Sequence, residues 1–215
     1  MTKKSGFYLL LSFWIFNTST GYSQAPEKRL NKDFETDTSR IYTYNHQLTT
    51  RVFMSQKYTR FVIPGTKSAP SLRYNPNSSL DLGIGLTYRA VSVNVGYGFT
   101  GLNDFQSERG KTKNLDLQLH LYGRKLTVDL LGQFYKGYYL SIPNFVPGFS
   151  GFYTRGDIKV RMIGGSCYYI FNNRKFSYRA GFIQSEWQTR SAGSFLLGGD
   201  IYFGAVNSDS LLVPR

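Results

Sequence analysis

From Asp81 onward the chain alternates between apolar and non-apolar residues, one for one. Val91, Val93, Val95, Tyr97 and Phe99 share one parity, and Ser92, Asn94, Gly96 and Gly98 the other. A period of two belongs to a β-strand whose two faces meet different surroundings. Leu82, Ile84, Leu86 and Tyr88 oppose Gly83, Gly85 and Thr87 in the same way. Leu115, Leu117, Leu119 and Leu121 oppose Asp116, Gln118, His120 and Tyr122, and Leu126, Val128, Leu130 and Phe134 oppose Thr127, Asp129 and Gln133. Ile158, Val160 and Met162 oppose Lys159 and Arg161, and Phe176, Tyr178, Ala180 and Phe182 oppose Ser177, Arg179 and Gly181. Less regular stretches at Leu48–Ile63 and Phe195–Phe203 bring the expected strands to eight.

The links between these strands carry a second signal. Arg89-Ala90, Gly123 to Lys125 and Asn172 to Lys175 are of hairpin length, while Pro64–Leu80, Thr100–Asn114, Gly137–Gly156 and Gln184–Ser191 are longer. Short and long links alternate, as in outer-membrane barrels with short periplasmic turns and long outer loops. Mean hydropathy is −0.31, and beyond the N-terminus no apolar run is long enough for a helical span. A membrane protein of this kind crosses with strands, whose polar alternate residues hide the apolar ones from an average. Aromatics near strand ends (Tyr88, Phe99, Tyr122, Phe134, Phe171, Phe176) suit interface girdles. The fold expected is all-β: an antiparallel up-and-down transmembrane β-barrel. Its main competitor, a soluble periplasmic lipid-binding barrel, needs an apolar inside and a charged outside. The non-apolar parity here is rich in Gly, Asn, Gln and Ser instead.

Lys3 and Lys4 precede the apolar stretch Phe7 to Phe16, which gives way to polar residues with small Gly21 and Ser23. That is the order of a secretory signal peptide, with cleavage expected between Ser23 and Gln24. The chain divides into a signal peptide at 1–23, a periplasmic lead-in at 24–47, the barrel at 48–204 and a tail or truncated continuation at 205–215. The expected location is the bacterial outer membrane. Net charge is +13, but Lys and Arg are scattered through turns and do not form a stripe interleaved with aromatics, so nucleic acid is not expected as a partner. Outer-membrane lipid is the expected partner.

The stretches Leu72 to Asn77, Leu82 to Leu86, Lys111 to Lys113, Phe134 to Tyr139 and Ser191 to Gly199 resemble a family of uncharacterised bacterial exported proteins, domain-of-unknown-function family 4421. The resemblance runs from about Thr49 to the C-terminus. It implies an outer-membrane barrel and brings no established activity or site residues. It also implies a longer chain with further strands, and Leu212 to Arg215, which matches a protease recognition site, is read as native on that basis. A polar tail follows Phe203, with no closing aromatic strand, so these eight strands are expected to belong to a larger barrel of about twelve.

No catalytic set stands out. His46 and His120 are the only histidines, and His120 shares a parity with Asp116 and Gln118, without a serine placed beside it by local spacing. One cysteine, Cys167, with two histidines gives no metal-ligand spacing, and the paired glycines lie within strands without a following helix, so no cofactor is expected. The expected function is non-enzymatic: a structural or interaction protein, or a small-solute pore. A barrel-embedded lipid-modifying enzyme is the alternative. The candidate site is a polar lumen network of Asn94, Asp116, Gln118, His120, Asp129, Gln133, Lys159, Arg161 and Arg179. Tyr138, Tyr139, Phe145, Phe149, Phe152 and Tyr153, with Pro143 and Pro147, decorate the longest outer link. They could bind a surface protein or a glycan, or fold back into the mouth.

Overall fold

The computed structural model describes residues 37–44, 46–67, 70–78, 80–98 and 105–213. The expected signal peptide, most of the lead-in and Phe99 lie outside the described residues. Seven long or medium strands form one antiparallel meander: β2 (Leu48–Ser55), β5 (Asp81–Tyr88), β6 (Val91–Gly98), β7 (Lys113–Tyr122), β8 (Leu126–Leu140), β9 (Thr154–Ile170) and β11 (Leu196–Asn207). Their order in the sheet is β11-β9-β8-β7-β6-β5-β2. Two short strands, β3 (Phe61–Ile63) and β4 (Leu72–Asn75), join the same sheet, with β4 pairing against the far end of β8. A separate ladder joins β1 (Ile41–Thr43) to β10 (Glu186–Gln188). The helices are single turns, α1 (Gln106–Arg109) and α2 (Tyr178–Phe182). The protein is all-β and antiparallel.

On β5 and β6 the two faces are inverted relative to a water-soluble sheet, while β11 is exposed on both. On β5 the apolar Leu82, Ile84, Leu86 and Tyr88 are exposed, while Asp81, Gly83, Gly85 and Thr87 are buried. On β6, Val91, Val93, Val95 and Tyr97 are exposed while Ser92, Asn94, Gly96 and Gly98 are buried. Cross-strand register continues this outward apolar surface through Val95, Leu117 and Gly132 to Ile163.

What buries the polar side is the chain's own N-terminal part. Arg51, Phe53, Ser55, Lys57 and Thr59 are partly buried, and the residues between them are exposed. Phe53 lies against Gly83 and Gly96 on β5 and β6. Lys57 then reaches β7 and Thr59 reaches β8, so this segment straps the inward face from β5 to β8, short of β9 and β11. A bare glycine backbone lets the Phe53 ring and the Arg51 stem settle flat on β5, where a Cβ at Gly83 or Gly85 would collide with them.

Beyond the strap, the end that carries the long links holds a small apolar core. Leu72, Tyr74, Tyr135, Tyr138, Leu140, Ile158 and Val160 are buried there, with Phe61, Ile63, Phe145, Tyr153 and Leu212 packed on them. Gly137 makes this possible. It sits at φ +95°, in an irregularity between Lys136 and Tyr138 that turns Tyr138 back to the inner side. A Cβ at Gly137 would also strike the Lys111 carbonyl. Gly137→Ala is expected to lower stability by roughly 2 kcal/mol or more. An unchanged unfolding midpoint would show that the bulge can be rebuilt without glycine.

Several expectations need correction. The stretch Leu48–Ile63 keeps its parity, but its ladder stops at Ser55, because the segment leaves the edge to cross the inward face. Phe176–Phe182 is not a strand. Ser177 caps α2 by accepting a hydrogen bond from Ala180 N, and Tyr178 stacks on Phe182 one turn later, 4.2 Å between ring centroids. Strict alternation of link lengths therefore fails after β9. Lys159 and Arg161 alternate with Ile158 and Val160 as expected but point outward, because at this end the inner side is filled by the apolar core. Tyr122 belongs to the interior instead of a girdle. The loop aromatics mostly fold back, with Tyr138 buried, Phe145 and Tyr153 on the core, and Phe149 exposed. Within the described residues β2 and β11 are the two edges, and no ladder joins the Val52–Phe61 region to Phe195–Phe203.

Candidate functional site

Because β6, β7 and β8 are neighbours in register, their inward polar residues meet. Asn94 faces Gln118, Asp116 faces Gln133, and His120 faces Asp129. Asp116 is the hub. Its Oδ1 accepts from Lys57 Nζ at 3.0 Å and from Gln118 Nε2 at 2.7 Å, and its Oδ2 accepts from Gln133 Nε2 at 2.8 Å. Thr59 Oγ1 donates to Gln133 Oε1 at 2.9 Å, and Tyr138 Oη to the Thr59 carbonyl at 2.9 Å, which ties the strap to β8. A buried carboxylate facing an ammonium and two amides is close to fully satisfied.

The same row continues to a second carboxylate. Asn94 Nδ2 meets His120 Nε2 at 2.9 Å, and His120 Nδ1 meets Asp129 Oδ1 at 2.5 Å. With Asn94 donating, Nε2 is the accepting nitrogen, and Nδ1 faces the carboxylate. Tyr122 Oη and Ser166 Oγ also donate to Asp129, at 2.6 and 3.4 Å. A hydrolytic triad would place a serine hydroxyl on the imidazole nitrogen that faces away from the carboxylate. Here that nitrogen is taken by Asn94, and Ser166 bonds the carboxylate instead. Ser92 stands opposite His120 in register, but it is fully buried and its Oγ accepts from Arg51 at 2.9 Å and Thr87 at 2.8 Å.

A third cluster lies at the short-turn end. Glu186 accepts from Arg124 Nη2 at 2.7 Å and Arg179 Nη1 at 3.3 Å, and Ser177 Oγ also bonds it. Arg179 Nε donates to the Tyr122 carbonyl at 2.6 Å, and Tyr178 packs edge-on against the Tyr122 ring. Burial pulls the Arg179 pKa down while the Glu186 carboxylate opposes that, and burial raises the Tyr178 phenol. Among the described residues no group of three or more His, Cys, Asp or Glu could hold a metal ion.

Six of the nine expected lumen residues therefore converge: Asn94, Asp116, Gln118, His120, Asp129 and Gln133. Arg179 belongs to the cap at the short-turn end, and Lys159 and Arg161 belong to the outer surface. Residues 35–215 match the family Domain of unknown function (DUF4421). The chain is a DUF4421 protein. No curated protein and no solved structure matches it.

In this DUF4421 chain the sequence reading missed Arg51, Lys57 and Glu186. Arg51 has the inward parity of β2, so its place could have been read from Val52 and Met54 on the other side. Lys57 lies past the end of the ladder and Glu186 in a three-residue strand, where alternation carries no information.

Proposed function

We propose that this DUF4421 protein forms the wall of a bacterial outer-membrane β-barrel, non-enzymatic, with a packed interior and a structural or interaction role. The observation that carries the reading is the inverted facing: isoleucine, leucine and valine outside, aspartate, asparagine and histidine inside. Water would penalise that arrangement and a lipid surround rewards it. The outward apolar positions Leu82 to Tyr88 span six strand steps, or about 20 Å, close to the apolar band of about 25 Å that such barrels present. Exposed Tyr88, Tyr169 and Phe171 collect at the short-turn end, in the position of an interface girdle. A soluble lipid carrier would need the opposite facing.

Lipid also demands that every backbone group be paired. The edges β2 and β11 must then find partners outside the described residues. Export through a cleaved leader is part of the same proposal. The test is fractionation of the natural host. The chain should stay with the outer membrane through a urea wash, be released by detergent, and begin near Gln24. Recovery in the soluble fraction without detergent would overturn the reading.

The strap favours the wall over the pore. Phe53, Lys57 and Thr59 occupy the inward face from β5 to β8, so the purified protein in planar bilayers is expected to give no stepwise ion conductance. Steady single-channel steps would mean that the strap leaves the interior, and would favour the pore reading.

A further inference from the structure

Three lysines stand directly opposite one another on the outward face near the long-link end. Lys113 pairs with Lys136, and Lys136 pairs with Lys159. All three are exposed, and Arg161, two residues along β9 on the same side, is exposed beside them. Side chains directly opposite in a sheet lie about 5 Å apart at Cβ, and like charges there repel. Among the described residues none of the four has a carboxylate within ion-pair distance. The nearest acid along β9, Asp157, is spent on Arg155 and on the Asp209 amide.

Directly beneath this row the outward surface has a dent. Gly132 occupies the outward position between Leu117 and Ile163 in register. A nearly all-apolar groove of about 440 Å³ lies there, bordered by Val93, Leu117, Leu130, Phe134 and Ile163, with the Phe134 ring against Gly132. Gly132 is four residues from Lys136 on the same face of β8, about 13 Å along the strand. A charged head held on the lysines would thus have its tail over the groove.

We propose that Lys113, Lys136, Lys159 and Arg161 bind the phosphate of an anionic lipid whose acyl chain lies in the groove at Gly132. The inference rests on the membrane reading above and adds the lipid class to it. A phosphate relieves the repulsion between the lysines by taking charge-assisted hydrogen bonds from several at once. The apolar groove selects a lipid over a free anion.

The test uses the full chain folded in detergent and titrated with phosphatidylglycerol or phosphatidylcholine, with retained lipid read by native mass spectrometry. Wild type should prefer phosphatidylglycerol. The triple variant Lys113→Gln, Lys136→Gln, Lys159→Gln should lower that preference by roughly a hundred-fold, at about one tenfold step or less per lysine. Removing equal charge elsewhere, with Lys67→Gln, Lys125→Gln and Lys175→Gln, should leave it unchanged. Gly132→Leu should weaken retention of both lipids while keeping the preference. Equal retention of the two lipids by wild type would overturn the site and leave the membrane reading standing. A chain that stays folded and monomeric without detergent would overturn the membrane reading itself. Phosphatidylglycerol retention that inorganic phosphate abolishes and Gly132→Leu does not touch would mean a simple anion site, and would also overturn the proposal.

Discussion

Ile84→Arg is expected to cost about 2–4 kcal/mol when the protein is folded into liposomes. Ile84 is 59% exposed, in the middle of β5. Its cross-strand neighbours Val52 and Val95 are also exposed and apolar. A sheet surface in water tolerates such a substitution within about 0.5 kcal/mol, because the new charge stays hydrated. In the middle of a bilayer the guanidinium must be dragged from water or must thin the lipid around it. The comparison is a denaturant titration of wild type, Ile84→Arg and Ile84→Ala in liposomes. An arginine variant no worse than the alanine one would remove lipid from the outward face, and with it the barrel.

Asp116→Ala should cost about 3–5 kcal/mol, as does removing one partner of a buried ion pair. The Lys57 ammonium, with its side chain only 20% exposed, would lose its counter-charge. The Gln118 and Gln133 amides would lose their acceptor at the same moment. Part of that penalty belongs to the abandoned charge and should be recoverable. The double change Asp116→Leu with Lys57→Met is therefore expected to be clearly less destabilising than Asp116→Ala alone. A double variant as poor as the single would mean that the pair acts through the amides and that Lys57 is incidental. A cost below about 1 kcal/mol would mean that the interior admits enough water to rehydrate the ammonium.

The long central strands were legible because β5, β6 and β7 keep strict alternation over whole strands and their two parities differ in polarity. That alone brought Asn94, Asp116, Gln118 and His120 to one side. It failed where polarity stops marking the side. Ile158 and Val160 are buried in the apolar core, and Lys159 and Arg161 stand at the outer rim, so the rule that polar residues face inward inverts near the long links. It failed again at Phe176–Phe182, whose aromatics fit a period of two, while Tyr178 and Phe182 also fit one helical turn. The cap at Ser177 settled the matter, and a single serine is a weak sign in a sequence. Strands of three or four residues such as β1, β4 and β10 are too short to show any period.

The strap has a consequence for the order of assembly. Lys57 is bonded to a residue 59 positions later, Thr59 to one 74 later, and the Thr59 carbonyl to one 79 later. Contacts so distant in sequence make for slow folding. A nascent chain that has delivered only β2 through β6 holds Arg51 near its final partners but has nothing for Lys57 or Thr59. It cannot complete its interior until β8 arrives. Chains released before about residue 140 should therefore remain sensitive to protease between β2 and β3, and those released after it should become resistant there in one step.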